Sequence, residues 1–192
     1  MAAPKNDNIR EKILNTAYLM LQEKSFKEIS LSQIAKKTGI SKGSIYYYYN
    51  SKDELLYDIA DSYLNQLYGD LLTWVDNKDK DTSLPRVLYF CLKGGIEEPE
   101  KSLRLHLVMD AVSGNSQLNS KLLNKYISFK NIFSEKIHER SKSINKEQAD
   151  YYGWLLLTVI DGVIIQNLLG NKEIANEDFI NKTVEIINRE CN

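Results

Sequence analysis

The stretch Ser41 to Tyr49 reads Ser-Lys-Gly-Ser-Ile-Tyr-Tyr-Tyr-Tyr and concentrates groups able to meet a polyanion. The Lys42 ammonium and the hydroxyls of Ser44, Tyr46, Tyr47 and Tyr48 can bind phosphate oxygens or base edges, and Gly43 lets a helix start approach DNA closely. Ile45 and Tyr49 lie one helical turn apart and are expected to face the core. Spacing alone leaves two readings: a helix laid in the major groove, or a surface helix carrying a packed tyrosine ladder. Other chemistry finds less support. His106 and His138 are the only histidines, and neither stands at a metal-ligand spacing from Cys91 or Cys191. No glycine-rich phosphate loop or nucleophile elbow occurs. Glu97, Glu98 and Glu100 read more simply as a loop and helix start than as a catalytic pair. An enzyme, a metal site and a cofactor are therefore not expected.

Helices must position these residues. Ile9, Ile13, Leu14, Ala17, Met20 and Leu21 recur at helical spacing and predict a first helix over Asn8 to Glu23. A loop from Lys24 to Glu28 follows, with Phe26 turned inward. Ser30-Leu31-Ser32-Gln33 is a capping-box pattern, so a second helix starts at Leu31, and Gly39 supplies its left-handed end. Ser41 can cap a third helix at once, giving helix, tight turn, helix from Leu31 to Tyr49. Leu31, Ile34, Ile40 and Ile45 share its core, and Ala35 lets the two helices cross closely. A second capping box, Ser51 to Glu54, starts a fourth helix running to about Trp74, with Leu55, Leu56, Ile59, Tyr63, Leu67 and Leu71 on one side.

The chain has 192 residues, 43% of them hydrophobic and 27% charged, which fits a folded globular protein. Nine glycines, three prolines and no run of alternating polarity predict an all-α fold. Two cysteines exclude a disulfide framework, and charges among the first twenty residues break any signal-peptide core, so a cytoplasmic location is expected. Between Gly153 and Gly170 only Asp161 is charged. An aspartate at the centre of a spanning helix costs about 2.5–3.5 kcal/mol, so this segment is expected to be a helix buried on several sides and not a membrane span. The net charge of −1 hides a split: residues 1–52 hold nine basic and four acidic side chains, +5, and the remainder sixteen and twenty-two, −6. A basic segment on an acidic body suits a polyanionic partner at that end, although scattered solvated lysines would give the same count.

Ile29 to Leu56, ISLSQIAKKTGISKGSIYYYYNSKDELL, resembles the DNA-binding segment of the TetR family of bacterial transcription regulators. The resemblance implies a recognition helix whose DNA contacts are Ser41, Lys42, Gly43, Ser44, Tyr46, Tyr47 and Tyr48. It also implies phosphate contacts from Ser30 and Lys52, both at helix starts that offer free N–H groups. The family pattern ends its aromatic cluster in phenylalanine, whereas this chain has Tyr49, whose hydroxyl needs a partner or water.

The rest of the chain resembles the family only in architecture. Asp79 to Ser83 reads as a linker. Ser83-Leu84-Pro85 begins a helix ended by Gly94-Gly95, and Pro99 opens another reaching Val112, with Ser113-Gly114-Asn115 as its stop. A long helix to about Arg140 and two more, Lys146 to Leu169 and Asn176 to Arg189, complete the body. Eleven of the sixteen residues from Trp154 to Leu169 are apolar, so that helix is apolar all round; one side can face its own domain and the other a second subunit. Asp161-Gly162 resembles the family's dimerisation helix, with Gly162 allowing close approach. Expected interface residues are Leu156, Ile160, Ile164, Leu168, Phe179, Ile180, Val184 and Ile187. Leu88, Tyr89, Cys91, Leu92, Leu105, His106, Met109, Tyr126 and Phe129 are richer in aromatic and sulfur groups than a plain core needs, and are the expected walls of a ligand pocket.

The expectation is thus an all-α chain with an N-terminal three-helix helix-turn-helix DNA-binding domain, residues 1–51. A C-terminal helical ligand-binding and dimerisation domain, residues 52–192, follows, with helix four connecting. The resemblance implies a homodimeric repressor released from a double-stranded operator by a small hydrophobic or aromatic ligand. The alternative is a DNA-dependent adaptor of the same fold that binds a protein and needs no inducer.

Overall fold

A computed structural model describes residues 7–75, 83–97, 101–141 and 143–192, with the side chains of Phe26, Leu64, Tyr68, Leu71, Leu72, Trp74 and Val75 outside the description. The described residues form α1 (Asp7–Glu23), a 3₁₀ turn (Phe26–Glu28), α2 (Leu31–Thr38), α3 (Lys42–Tyr48), α4 (Lys52–Val75), α5 (Leu84–Ile96), α6 (Lys101–Val112), α7 (Ser116–Arg140), α8 (Lys146–Leu168) and α9 (Asn176–Cys191), with no strand among them. The inward turn expected of Phe26, the linker from Asp79 and the helix opening at Pro99 lie wholly or mostly outside the described residues.

Local chemistry sets the first elements. Ile13, Ala17, Met20 and Leu21 make the buried stripe of α1. The Ser30 hydroxyl accepts the Gln33 N–H (3.2 Å), and the Gln33 side chain accepts the Ser30 N–H (2.7 Å), so the capping box is complete. Gly39 takes φ +78°, where a β-carbon would be strained. Its N–H donates to Lys36 (3.3 Å) and that of Ile40 to Ala35 (3.0 Å), the paired bonds that close a helix on a left-handed residue. The box at Ser51 is only half as expected. Glu54 N–H donates to the Ser51 hydroxyl, but the Glu54 carboxylate reaches one residue further back, to the Asn50 N–H (2.9 Å).

The chain packs as two units, Met1–Gln66 with Ser102–Ser120, and Leu67–Lys101 with Lys121–Asn192. This places the division later than residues 51/52. The first half of α4 buries Leu55, Leu56, Ile59, Ala60 and Tyr63, so it belongs with the three helices before it, and α6 joins the same unit.

In the second unit α5 packs against α8 and α9. Gly94-Gly95 does not end α5, which continues to Ile96. A β-carbon at Gly95 would stand 2.8 Å from Ile160 Cδ1, so this glycine is a notch that admits α8. Close approach recurs at Gly153, where a β-carbon would lie 2.8 Å from the Lys130 carbonyl and 2.5 Å from the Ser134 hydroxyl on α7. Gly162 by contrast is exposed, and a β-carbon there would meet no neighbouring element within 4 Å.

α8 is long and apolar enough to cross a membrane by length and composition. One side of it, including Leu156, Leu157, Ile160, Val163 and Ile164, packs into the core of its own unit. Six of the expected interface residues are corrected by that packing: Leu156, Ile160 and Ile164 on α8, and Ile180, Val184 and Ile187 on α9, are all buried within their own chain. Leu168 is half-buried against the same core, and only Phe179 is exposed. Apolar spacing marks a buried stripe without saying whose surface buries it. On a helix apolar all round, the chain's own core took that stripe, and Tyr151, Trp154 and Ile165 are left exposed with Ile186 of α9.

Candidate nucleic-acid interface

α3 is seven residues long, so each side chain faces either the core or the outside with little between. Ser41 caps it, its hydroxyl accepting the Ser44 N–H (2.9 Å) and sharing a hydrogen bond with the Ser44 hydroxyl (2.7 Å). Ile45 and Tyr49 are fully buried, as their spacing predicted. The outward face carries Ser41, Lys42 and Gly43, all exposed, with Tyr46 at 44% and Tyr47 at 41% exposure; Ser44 is half-buried.

Tyr48 departs from expectation. At 7% exposure it belongs to the core side of α3, its ring edge-on to that of Tyr47 with centroids 5.3 Å apart. The reason is helical geometry: Tyr48 lies three residues after Ile45 and shares its face. The tyrosine run therefore divides into two outward rings, Tyr46 and Tyr47, and two inward ones.

Ser30 is exposed at the start of α2, with its hydroxyl engaged in the capping box. Lys52, half-buried at the start of α4, donates from Nζ to the Ile29 carbonyl (2.9 Å), tying α4 to the residue before the α2 cap. Lys36 and Lys37 close α2 and are exposed, so with Lys42 three ammonium groups flank the turn at Gly39. The sequence reading did not single them out, although they belong to its local excess of basic charge.

The expected pocket residues fall into both units. Leu88, Cys91 and Leu92 are core residues of the second unit, and Tyr89, Tyr126 and Phe129 pack partly buried against that core. Burial pushes the Cys91 thiol up to about 12, which leaves it protonated and unsuited to nucleophilic work. Tyr89 directs its hydroxyl to Glu177 (2.8 Å) and receives Lys93 Nζ (2.9 Å). Leu105, His106 and Met109 belong to the first unit; His106 Nδ1 lies 3.1 Å from the Leu21 carbonyl, and Met109 is exposed.

Residues 13–59 match the model of the tetR family of bacterial regulatory proteins. These residues form a TetR-family DNA-binding domain. The chain's relatives include the biofilm operon icaADBC negative transcriptional regulator IcaR of Staphylococcus epidermidis, 26% identical over 59% of each protein. The Bacillus subtilis regulator YxaF is 27% identical over 83% of this chain and 84% of its own length. The chain thus spans less than two thirds of IcaR, and 28% of the Mycolicibacterium smegmatis regulator EthR at 40% identity. A transcriptional regulator from Saccharomonospora viridis, solved in complex with choline, superimposes with a TM-score of 0.81 over 94% of this chain and 95% of its own, at 17% identity. Salmonella enterica GusR does so at 0.72 over 92% and 93%. These solved structures share the fold of this chain over more than nine tenths of its length. Its N-terminal domain is thus that of DNA-binding transcriptional regulators.

Proposed function

We propose that this regulator is a dimeric repressor, released from a near-palindromic operator by a small, largely apolar or aromatic ligand. The observation that carries the DNA half is the division of α3: Ile45, Tyr48 and Tyr49 are buried, leaving Ser41, Lys42, Gly43, Tyr46 and Tyr47 on one open face. Lysine there meets phosphate, while tyrosine hydroxyls and rings meet base edges and thymine methyls. Ser30 and Lys52 add phosphate contacts alongside the structural bonds they already make. A two-fold dimer reads two half-sites about one helical turn apart, roughly 34–36 Å, so the operator is a near-palindrome.

The repressor sign is supported by IcaR, itself a negative regulator. Dimerisation is supported by Tyr151, Trp154 and Ile165, exposed on the side of α8 opposite its own core, beside the open Gly162. Support for a ligand comes from the aromatic and sulfur groups Tyr89, Cys91, Tyr126 and Phe129 in and against the second-unit core, and from the choline complex of a protein of the same fold. The residues of α4 fall in both units, Lys52–Gln66 in one and Leu67–Val75 in the other, so a ligand that moves α4 alters the separation of the recognition helices.

Selection of duplexes from a randomised pool by the full chain tests the reading. A near-palindromic consensus is expected, and one undivided site bound by a monomer would contradict it. By linkage, a ligand that weakens operator binding must bind the DNA complex more weakly by the same factor. Titrating aromatic and hydrophobic candidates, and choline, against free and operator-bound protein measures both sides. A molecule that occupies the body and leaves operator affinity unchanged would favour a DNA-dependent adaptor.

A further inference from the structure

Tyr49 follows α3 directly as its C-cap, in extended backbone (φ −135°, ψ 111°), with its N–H still donating to the Ile45 carbonyl. The residue is 1% exposed, so its hydroxyl must find a partner inside the protein. It donates to Asp58 Oδ2 at 3.1 Å. The same oxygen accepts the Arg10 guanidinium at 2.5 Å. One carboxylate oxygen therefore joins the end of α3, the second turn of α4 and the first turn of α1, all within one compact unit. Burial first, and then the negative charge of Asp58, raise the pKa of the Tyr49 phenol, which keeps its proton and stays a donor. The hydrogen bond it donates to Asp58 raises that of Arg10, which stays cationic.

A seven-residue helix resting on Ile45 and Tyr48 is held by contacts that have no direction of their own, and such contacts tolerate small rolls and slides. A hydrogen bond has a direction. The one at Tyr49 fixes the end of α3 remote from the Ser41 cap, three residues from Tyr46. We propose that Tyr49 and Asp58 are positioning residues for DNA readout: the hydroxyl and carboxylate set the roll and tilt at which Lys42 and Tyr46 meet the groove, and Arg10 holds the carboxylate in place. The inference rests on the DNA-contact reading above and adds residues that touch no DNA. Phenylalanine at this position would fill the same space and leave the Arg10–Asp58 pair intact, so the hydroxyl alone makes the difference.

The test is full-length Tyr49→Phe, which removes one oxygen and no charge, titrated against the operator selected by wild type and against a scrambled duplex at several salt concentrations. Helicity, scrambled-duplex affinity and salt slope are expected to stay at wild-type values, while operator affinity falls about tenfold, the size of one mismatched base pair. In an Asp58→Ala background, loss of the same hydroxyl should change nothing further. Wild-type operator affinity in Tyr49→Phe, equal losses on both duplexes, or a further loss in the Asp58→Ala background would each overturn the proposal. Tyr46→Ala, measured alongside, separates the two levels of inference. If it too binds like wild type, the contact reading fails and this proposal with it. If it loses operator preference while Tyr49→Phe does not, only this proposal fails.

Discussion

At Lys42 and Tyr46 removal of a side chain should have effects different in kind. Lys42→Ala should weaken binding alike on all sequences and lower the salt slope by about one unit, because a phosphate contact releases counterions whatever the base. Tyr46→Ala should shift sequence preference, costing about 1–3 kcal/mol on the best site and less elsewhere. Both are read by anisotropy titrations across salt concentration and operator variants. Tyr48→Ala should instead cost about 3 kcal/mol of stability, seen in denaturant unfolding, because it empties a buried aromatic site. Asp110 makes a different case. Its Oδ2 is buried with no hydrogen-bond partner, and burial raises its pKa against the pull of Lys27, Lys52 and His106, with Asp53 adding to the rise. A raised carboxyl favours the fold in its protonated form; that contribution is present below the unfolded-state value and is lost as pH rises through the folded-state value. At neutral pH Asp110 therefore carries a penalty. Asp110→Asn should raise Tm at pH 7, and the gain should shrink as pH falls into the ordinary aspartate range. A gain that is constant with pH would contradict the assignment.

Among the elements, those closed by local chemistry were legible before any packing was known. Ser30 with Gln33, Gly39, and Ser41 with Ser44 each act within four residues, and the helix bounds they imply agree with the structure to within a residue. Contacts distant in sequence were not legible. The Tyr49 hydroxyl visibly needed a partner, but Asp58 is nine residues away and Arg10 a further 48 from Asp58, and nothing local points to either. Gly94-Gly95 reads as a stop because glycine ends helices, yet Gly95 serves instead as a notch for Ile160. The same distinction separates two glycines of α8. Gly153→Ala should destabilise the protein by about 1–3 kcal/mol, since a methyl there meets the Lys130 backbone, which cannot yield as a side chain can. Gly162→Ala should gain up to about 1 kcal/mol of helix stability in the isolated protomer and weaken self-association if a partner helix packs there. Thermal unfolding and sedimentation over a dilution series separate the two effects.

For the whole molecule, assembly is the first consequence. Trp154→Glu with Ile165→Glu should give monomers that keep their helicity and lose operator affinity, because both side chains are exposed on α8. Ile164→Glu should unfold the second unit, since it puts a charge in that unit's own core. A wild-type chain that sediments as a monomer at high concentration with full operator affinity would contradict the dimer. The body itself was legible as a set of helices, but which apolar stripe faces its own core was not, because a helix apolar all round offers several. The central claim is that the open face of α3 reads operator DNA. Titrating full-length wild type and the Lys42→Ala/Tyr46→Ala double variant against the selected operator and a scrambled duplex tests it most directly. Wild type should prefer the operator by about a thousandfold or more, and the double variant should lose most of that preference while keeping its fold; a double variant that binds the operator as tightly and as selectively as wild type would contradict the account.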